Sequence, residues 1–147
     1  MTLLVDTSVV VKWFLDEPGR EAALRVLDSD ERLDCLDFGL AEVANVLWRR
    51  VRKKDIAFAQ AQSALVELDE IFVSVHPSSP LLERGLELAR QLNHSVYDCL
   101  FLAAALAETG LVLVTADEKF FKKCEDAVLR KSIRLVAPAL SETAIPN

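Results

Sequence analysis

Four carboxylates stand where an acid has to be accounted for. Asp6 closes the apolar run Leu3-Leu4-Val5, and Asp117 lies two residues beyond a second such run that ends at Val114-Thr115. Glu42 sits inside a segment of helical spacing, with Asn45 and Arg49 three and seven residues further along the same face. Asp98 opens a stretch, Cys99 to Ala107, that is apolar throughout. A helix of that composition is buried nearly all round, so a carboxylate at its mouth requires a hydrogen-bonding or cationic partner. If the fold gathers these four acids, their repulsion at neutral pH leaves two outcomes: they take up protons, or they hold divalent cations. Oxygen donors without Cys or His favour the hard ions Mg²⁺ or Mn²⁺ over Zn²⁺. Such ions activate water and steady the attacking and leaving oxygens of a phosphoryl transfer, which makes a phosphodiester the expected substrate.

Each acid also has a purely structural use. Asp6 can cap a following helix, and Thr115 to Glu118 matches a capping box that places Asp117 in a first helical turn. Glu42 can be plain polar surface, and Ser95 can cap the helix that carries Asp98. Other chemistries are poorly supplied. His76 and His94 each flank a loop without a matching partner, so both are expected to face solvent, and a metal-free ribonuclease lacks its acid and base. The glycines Gly19, Gly39, Gly85 and Gly110 are too scattered for a phosphate loop or a dinucleotide fingerprint. Ser8 stands where an Asp-x-Asp phosphotransferase needs its second acid.

The elements that must position these residues alternate. Strands are expected at Leu3 to Val5, Leu33 to Leu36, Ile71 to Val75, Leu111 to Val114 and Ile133 to Val136. Between them, helical spacing runs through Val9, Val10, Trp13 and Phe14, then from Pro18 to Leu27. It resumes from Phe38, behind an Asp37 cap, to Lys53, and from Asp55 to Glu70. Ala41, Ala44, Trp48 and Val51 are the expected core stripe of the third helix. Further helices cover Pro80 to Leu92, Val96 to Thr109 before the Gly110 stop, and Asp117 to Cys124. This order predicts an α/β domain over residues 1–137, a parallel sheet of four to five strands with helices on both faces, and a loose tail from Pro138 to Asn147. In such sheets ligands bind beyond the carboxyl ends of the strands, where Asp6 and Asp117 fall.

The 147 residues carry 17 Lys+Arg against 23 Asp+Glu, a formal charge of −6, and 52% are apolar. That describes one domain able to bury a core unaided and excludes a disordered chain. An acidic balance speaks against a generic nucleic-acid binder. The distribution is uneven, however: five of the six residues from Arg49 to Lys54 are basic, and Lys119, Lys122 and Lys123 form a second group. A solvated helix end accounts for the first of these. Cys35, Cys99 and Cys124 are odd in number and widely spaced, which excludes a CxxC site and reads as packing in a reducing compartment. The first residues show neither a basic start nor a long apolar region, so no signal peptide or anchor is expected, and a cytoplasmic location is.

Four segments together resemble the PIN-domain nucleases: Val5-Asp6-Thr7-Ser8 through Phe14, Ala41-Glu42-Val43-Ala44-Asn45 through Arg49, Tyr97-Asp98-Cys99 through Ala103, and Thr115-Ala116-Asp117-Glu118-Lys119-Phe120. The chain looks most like the VapC-like toxins of toxin–antitoxin pairs, in the right order over nearly its whole length. The resemblance implies a three-layer α/β/α sandwich in which Asp6, Glu42, Asp98 and Asp117 fall on an acidic quartet. In the family that quartet binds Mg²⁺ or Mn²⁺ and hydrolyses RNA to a 5′-phosphate and a 3′-hydroxyl. By position, Asp6 and Asp98 are the principal ligands, Asp117 a ligand to the same or a second ion, and Glu42 the group that orients or activates water. Ser8 and Thr115 fall where hydroxyls brace the carboxylates, and Asn45 follows Glu42 as in many such sequences. Cys99 replaces a common Ala. Lys12 and Arg49 are candidates for meeting the RNA backbone. The family implies a homodimer silenced by a small antitoxin whose basic tail enters the acidic cleft. Two other functions stay open at this point: a PIN nuclease of RNA processing or DNA trimming, and a PIN scaffold that binds without cutting.

Overall fold

Leu3 and Val5 pack to one side of their strand and Leu4 to the other, each into a separate apolar cluster. A strand buried on both faces belongs in the middle of a covered parallel sheet. In the computed structural model, which describes residues 1–136, this strand, β1 (Thr2–Val5), is the centre of five. The others are β2 (Arg32–Leu36), β3 (Ser74–His76), β4 (Leu111–Thr115) and β5 (Ile133–Leu135), all parallel in the order β3-β2-β1-β4-β5. The expected tail from Pro138 lies outside the described residues.

Helices α1 (Thr7–Phe14), α2 (Arg20–Leu27), α3 (Asp37–Arg52) and α4 (Phe58–Ile71) cover one face through Val9, Val10, Ala23, Val43, Leu47 and Leu68. On the other face lie α5 (Leu82–Leu92), α6 (Val96–Ala107), α7 (Glu118–Lys123) and α8 (Ala127–Arg130), a 3₁₀ turn at Ser79–Leu81 leading into α5. The result is the expected three-layer α/β/α sandwich. The chain walks from β1 outward through β2 and β3, then returns to the opposite side of β1 with β4 and β5. The direction of winding therefore reverses between β1 and β4, and their carboxyl ends open the crevice in which open α/β sheets bind ligands.

Three local expectations are corrected. The buried stripe of α3 is Gly39, Val43 and Leu47, whereas Trp48 is 50% exposed and Ala41 faces solvent. Both sets have helical spacing, and contact with the sheet selects the one a fraction of a turn away. Helix α4 runs on to Ile71, and Phe72 is buried against Trp13 with ring centroids 5.9 Å apart. The β-branched run therefore does not start a strand until Ser74, because packing of that helical face overrides strand propensity. At its other end α4 starts at Phe58, where the Gln60 side chain accepts the Ala57 N–H at 2.7 Å, while Asp55 is paired with Arg50. The three cysteines are free and buried as expected, and burial pushes the Cys35 and Cys99 thiols up to about 12. No helix among the described residues is long and apolar enough to cross a membrane.

Candidate functional site

Asp6 is the first residue beyond β1 and the N-cap of α1. Its Oδ1 accepts the Ser8 backbone N–H at 3.0 Å and the Ser8 hydroxyl at 2.5 Å. Ser8 Oγ in turn accepts the N–H of Ala116 at 2.9 Å and lies 3.4 Å from Thr115 Oγ1. The loops after the two central strands are thus stitched together under one buried carboxylate, which is only 4% exposed. Thr115 is itself buried and accepts the Asp117 N–H at 3.1 Å. Asp117 is the N-cap of α7, its Oδ1 accepting the Phe120 N–H at 3.0 Å. It caps the helix instead of sitting in the first turn, one position from where the sequence predicts it.

Glu42 reaches the same rim from α3. Thr7, the first residue of α1, donates its hydroxyl to Glu42 Oε1 at 3.0 Å. Nearby, Gly39 lets α3 lie close on α6: a Cβ there would stand 3.0 Å from the Phe101 ring tip. Asp98 sits in the first turn of α6, whose N-cap is Ser95, accepting the Tyr97 N–H at 3.2 Å as expected.

The partner that Asp98 requires is a residue expected to face solvent. His94 Nε2 lies 2.6 Å from Asp98 Oδ2 across one helical turn, and the imidazole stacks on buried Phe120, centroids 4.6 Å apart. The i, i+4 spacing of His94 and Asp98 across a helix start is the signal that could have found it. One donor atom from each of His94, Asp98 and Asp117 lies within 4.8 Å of the other two. His76 is also engaged, its Nε2 2.7 Å from Asp34 Oδ2, but that pair belongs to β2 and β3 with Arg32 and has no part in this rim.

Asp6 and Glu42 lie outside that three-residue group yet share its field. Burial pushes the Asp6 carboxyl up to about 7; hydrogen bonds from Ser8 and Thr115 pull it down, and the Asp98 charge adds to the rise. Glu42 is raised by burial and again by Asp98, against the lowering effect of the Thr7 hydroxyl. Among the described residues, none of Asp6, Glu42 and Asp117 forms an ion pair with a Lys, Arg or His. Acids at one rim without an ion-pair partner fit a divalent ion, and their oxygen donors fit a hard one. Of the remaining candidates, Asn45 and Arg49 are exposed on α3, and Lys12 is held 3.4 Å from Glu17, which also pairs with Arg50.

The chain belongs to the PIN domain family, whose model matches residues 3–126. Among characterised relatives it is similar to Ribonuclease VapC3 of Pyrobaculum aerophilum, 32% identical over 125 residues that cover 84% of this chain and 95% of that protein. Of solved structures, PAE2754 from Pyrobaculum aerophilum matches with a TM-score of 0.66 and 25% identity, covering 85% of this chain and 81% of that one. VapBC2 from Rickettsia felis, bound to a DNA fragment from the promoter, shares the fold with a TM-score of 0.60 at 21% identity, over 84% of this chain and 92% of that one.

Proposed function

We propose that this chain is an endoribonuclease dependent on Mg²⁺ or Mn²⁺ and the toxin of a toxin–antitoxin pair. The observation that carries the proposal is the meeting of Asp98 and Asp117 at the β1/β4 crevice, a donor atom of each within 4.8 Å of the other, beside Asp6 and Glu42, with none of Asp6, Glu42 and Asp117 in an ion pair among the described residues. The 32% identity with a VapC ribonuclease supports RNA as the substrate.

Asp6, Asp98 and Asp117 would hold the ion, with Glu42 at its margin. When bound, the ion supplies positive charge against the scissile phosphate and acidifies the attacking water. The protein's own groups do the rest. Asp6, buried and fixed by Ser8, is a rigid oxygen donor that loses no side-chain freedom on binding. Glu42, with its proton affinity raised and one oxygen held by Thr7, is suited to orient water and take its proton. Asp117 and Thr115 fix the far wall of the crevice through the start of α7. Arg49, exposed two helical turns beyond Glu42, would meet the RNA backbone, and Lys12 would do so on leaving Glu17. By the same reading a small antitoxin with a basic tail neutralises the acidic crevice, the toxin works as a homodimer, and the setting is the cytoplasm.

Cleavage of structured RNA tests the activity. The wild type with Mn²⁺ should cut, while EDTA or Asp98→Asn should stop it without unfolding the protein. Undiminished cutting by either preparation would overturn the metal-dependent mechanism. Co-purification tests the pairing: a small partner with a basic tail, encoded beside the chain, is expected, and its absence would favour a processing nuclease.

A further inference from the structure

Both ring nitrogens of His94 are occupied. Nε2 lies 2.6 Å from Asp98 Oδ2, and Nδ1 lies 3.2 Å from Lys123 Nζ, which also donates to the Asn93 carbonyl at 2.7 Å. An ammonium has hydrogens to give and no lone pair, so Nδ1 must accept from Lys123. A neutral imidazole that accepts at Nδ1 carries its proton at Nε2, where it is donated to Asp98. Stacking on Phe120, which is fully buried, fixes the ring plane, and only 13% of the His94 side chain is exposed. With both nitrogens engaged, no lone pair remains on the ring for an ion.

We infer that His94, locked by Lys123 in the tautomer protonated at Nε2, is a positioning residue that holds Asp98 Oδ2 and leaves Oδ1 for the cation. This rests on the metal-dependent nuclease reading above and explains how a site bordered by an imidazole keeps an oxygen ligand set suited to Mg²⁺ or Mn²⁺. It also gives a function to Lys123, one of the basic residues near the C-terminal end of the chain that neither the core nor the acidic quartet uses. Lys123 reaches back across α7 to set the proton of a residue at the start of α6.

Two measurements on the full-length protein test the inference. The first is ¹⁵N NMR of the His94 ring, without metal and at saturating Mg²⁺. A proton on Nε2 in both states is expected, and Lys123→Met should broaden or mix the tautomers. A ring protonated at Nδ1, or an Nε2 that loses its proton when Mg²⁺ binds, would overturn the inference in favour of direct ligation. The second counts free Mn²⁺ by its EPR signal. His94→Ala should weaken Mn²⁺ binding by about 10- to 100-fold, and His94→Gln, which retains an N–H of similar reach, should recover most of that loss. A merely structural role would leave Mn²⁺ affinity unmoved in the folded variant. Equal affinity of His94→Ala and the wild type would overturn this inference alone, whereas a wild type that binds no Mn²⁺ would overturn the nuclease reading and this inference with it.

Discussion

Ser8 joins two loops more than a hundred residues apart: its hydroxyl accepts the Ala116 N–H at 2.9 Å and donates to Asp6 at 2.5 Å. The position of Asp6 therefore depends on β4 as much as on β1. Ser8→Ala removes the bridge, leaves the Ala116 N–H without its acceptor and takes from Asp6 Oδ1 one of its two donors, the backbone N–H of residue 8 remaining. Thermal or urea unfolding of the metal-free variant should show a loss of about 1–3 kcal/mol. RNA cleavage should fall with it, even at temperatures where the variant is fully folded. A variant as stable and active as the wild type would show that the bridge is not needed.

The buried Asp6 carboxyl makes metal-free stability depend on pH in an unusual direction. Its value rises from 3.8 to about 7 on folding, so between those values the native state binds more protons than the unfolded one. Stability should then fall as pH rises from about 4 to about 7, for a total near ~4 kcal/mol, and stay low above that range. Asp6→Asn keeps an oxygen for the cap and should flatten the slope, unfolding later than the wild type in EDTA at pH 8. Saturating Mn²⁺ at a hundred times its Kd should restore about 2.7 kcal/mol to the wild type and nothing to the variant. A wild-type melting temperature that climbs between pH 4 and 7 in EDTA would contradict this.

Thr7 lowers the proton affinity of Glu42, against the burial and the Asp98 charge that raise it. In Thr7→Val that lowering is lost, and the Glu42 carboxyl rises further. If Glu42 must be ionised to take a proton from water, the acid limb of the pH–rate profile should move to higher pH in the variant, with cleavage above the limb less affected. An acid limb that stays in place would detach Glu42 from the proton transfer.

The fold was legible because alternation of short apolar runs with helical spacing survives in one sequence, and because β1 and β4 are apolar on both faces. Three of the four candidate acids stand out in the sequence by their cost, Asp6 and Asp117 at the central strand ends and Asp98 in front of a wholly apolar helix, whereas Glu42 carries no such signal. What the sequence hid depends on which of two equivalent patterns a neighbour selects. Trp48 and Leu47 both fit a helical stripe, and only the sheet chooses Leu47. Phe72 fits a strand or a helix end, and its packing on Trp13 decides. His94 is the residue of this rim that the sequence hides most completely. A histidine in a loop is unremarkable until α6 places Asp98 one turn away and α7 brings Phe120 and Lys123 around the ring. A third of the Asp98 side chain meets solvent, and the most buried of the four acids is Asp6.

If acids scattered along the chain converge on one divalent ion, its binding depends on Asp6. Calorimetric titration of Mn²⁺ into the wild type and into Asp6→Asn, at pH 7.5 or thereabouts where the carboxylates can be ionised, tests it most directly. A saturable heat for the wild type and a flat trace for the variant are expected. A flat wild-type trace, or equal binding by both proteins, would contradict the account.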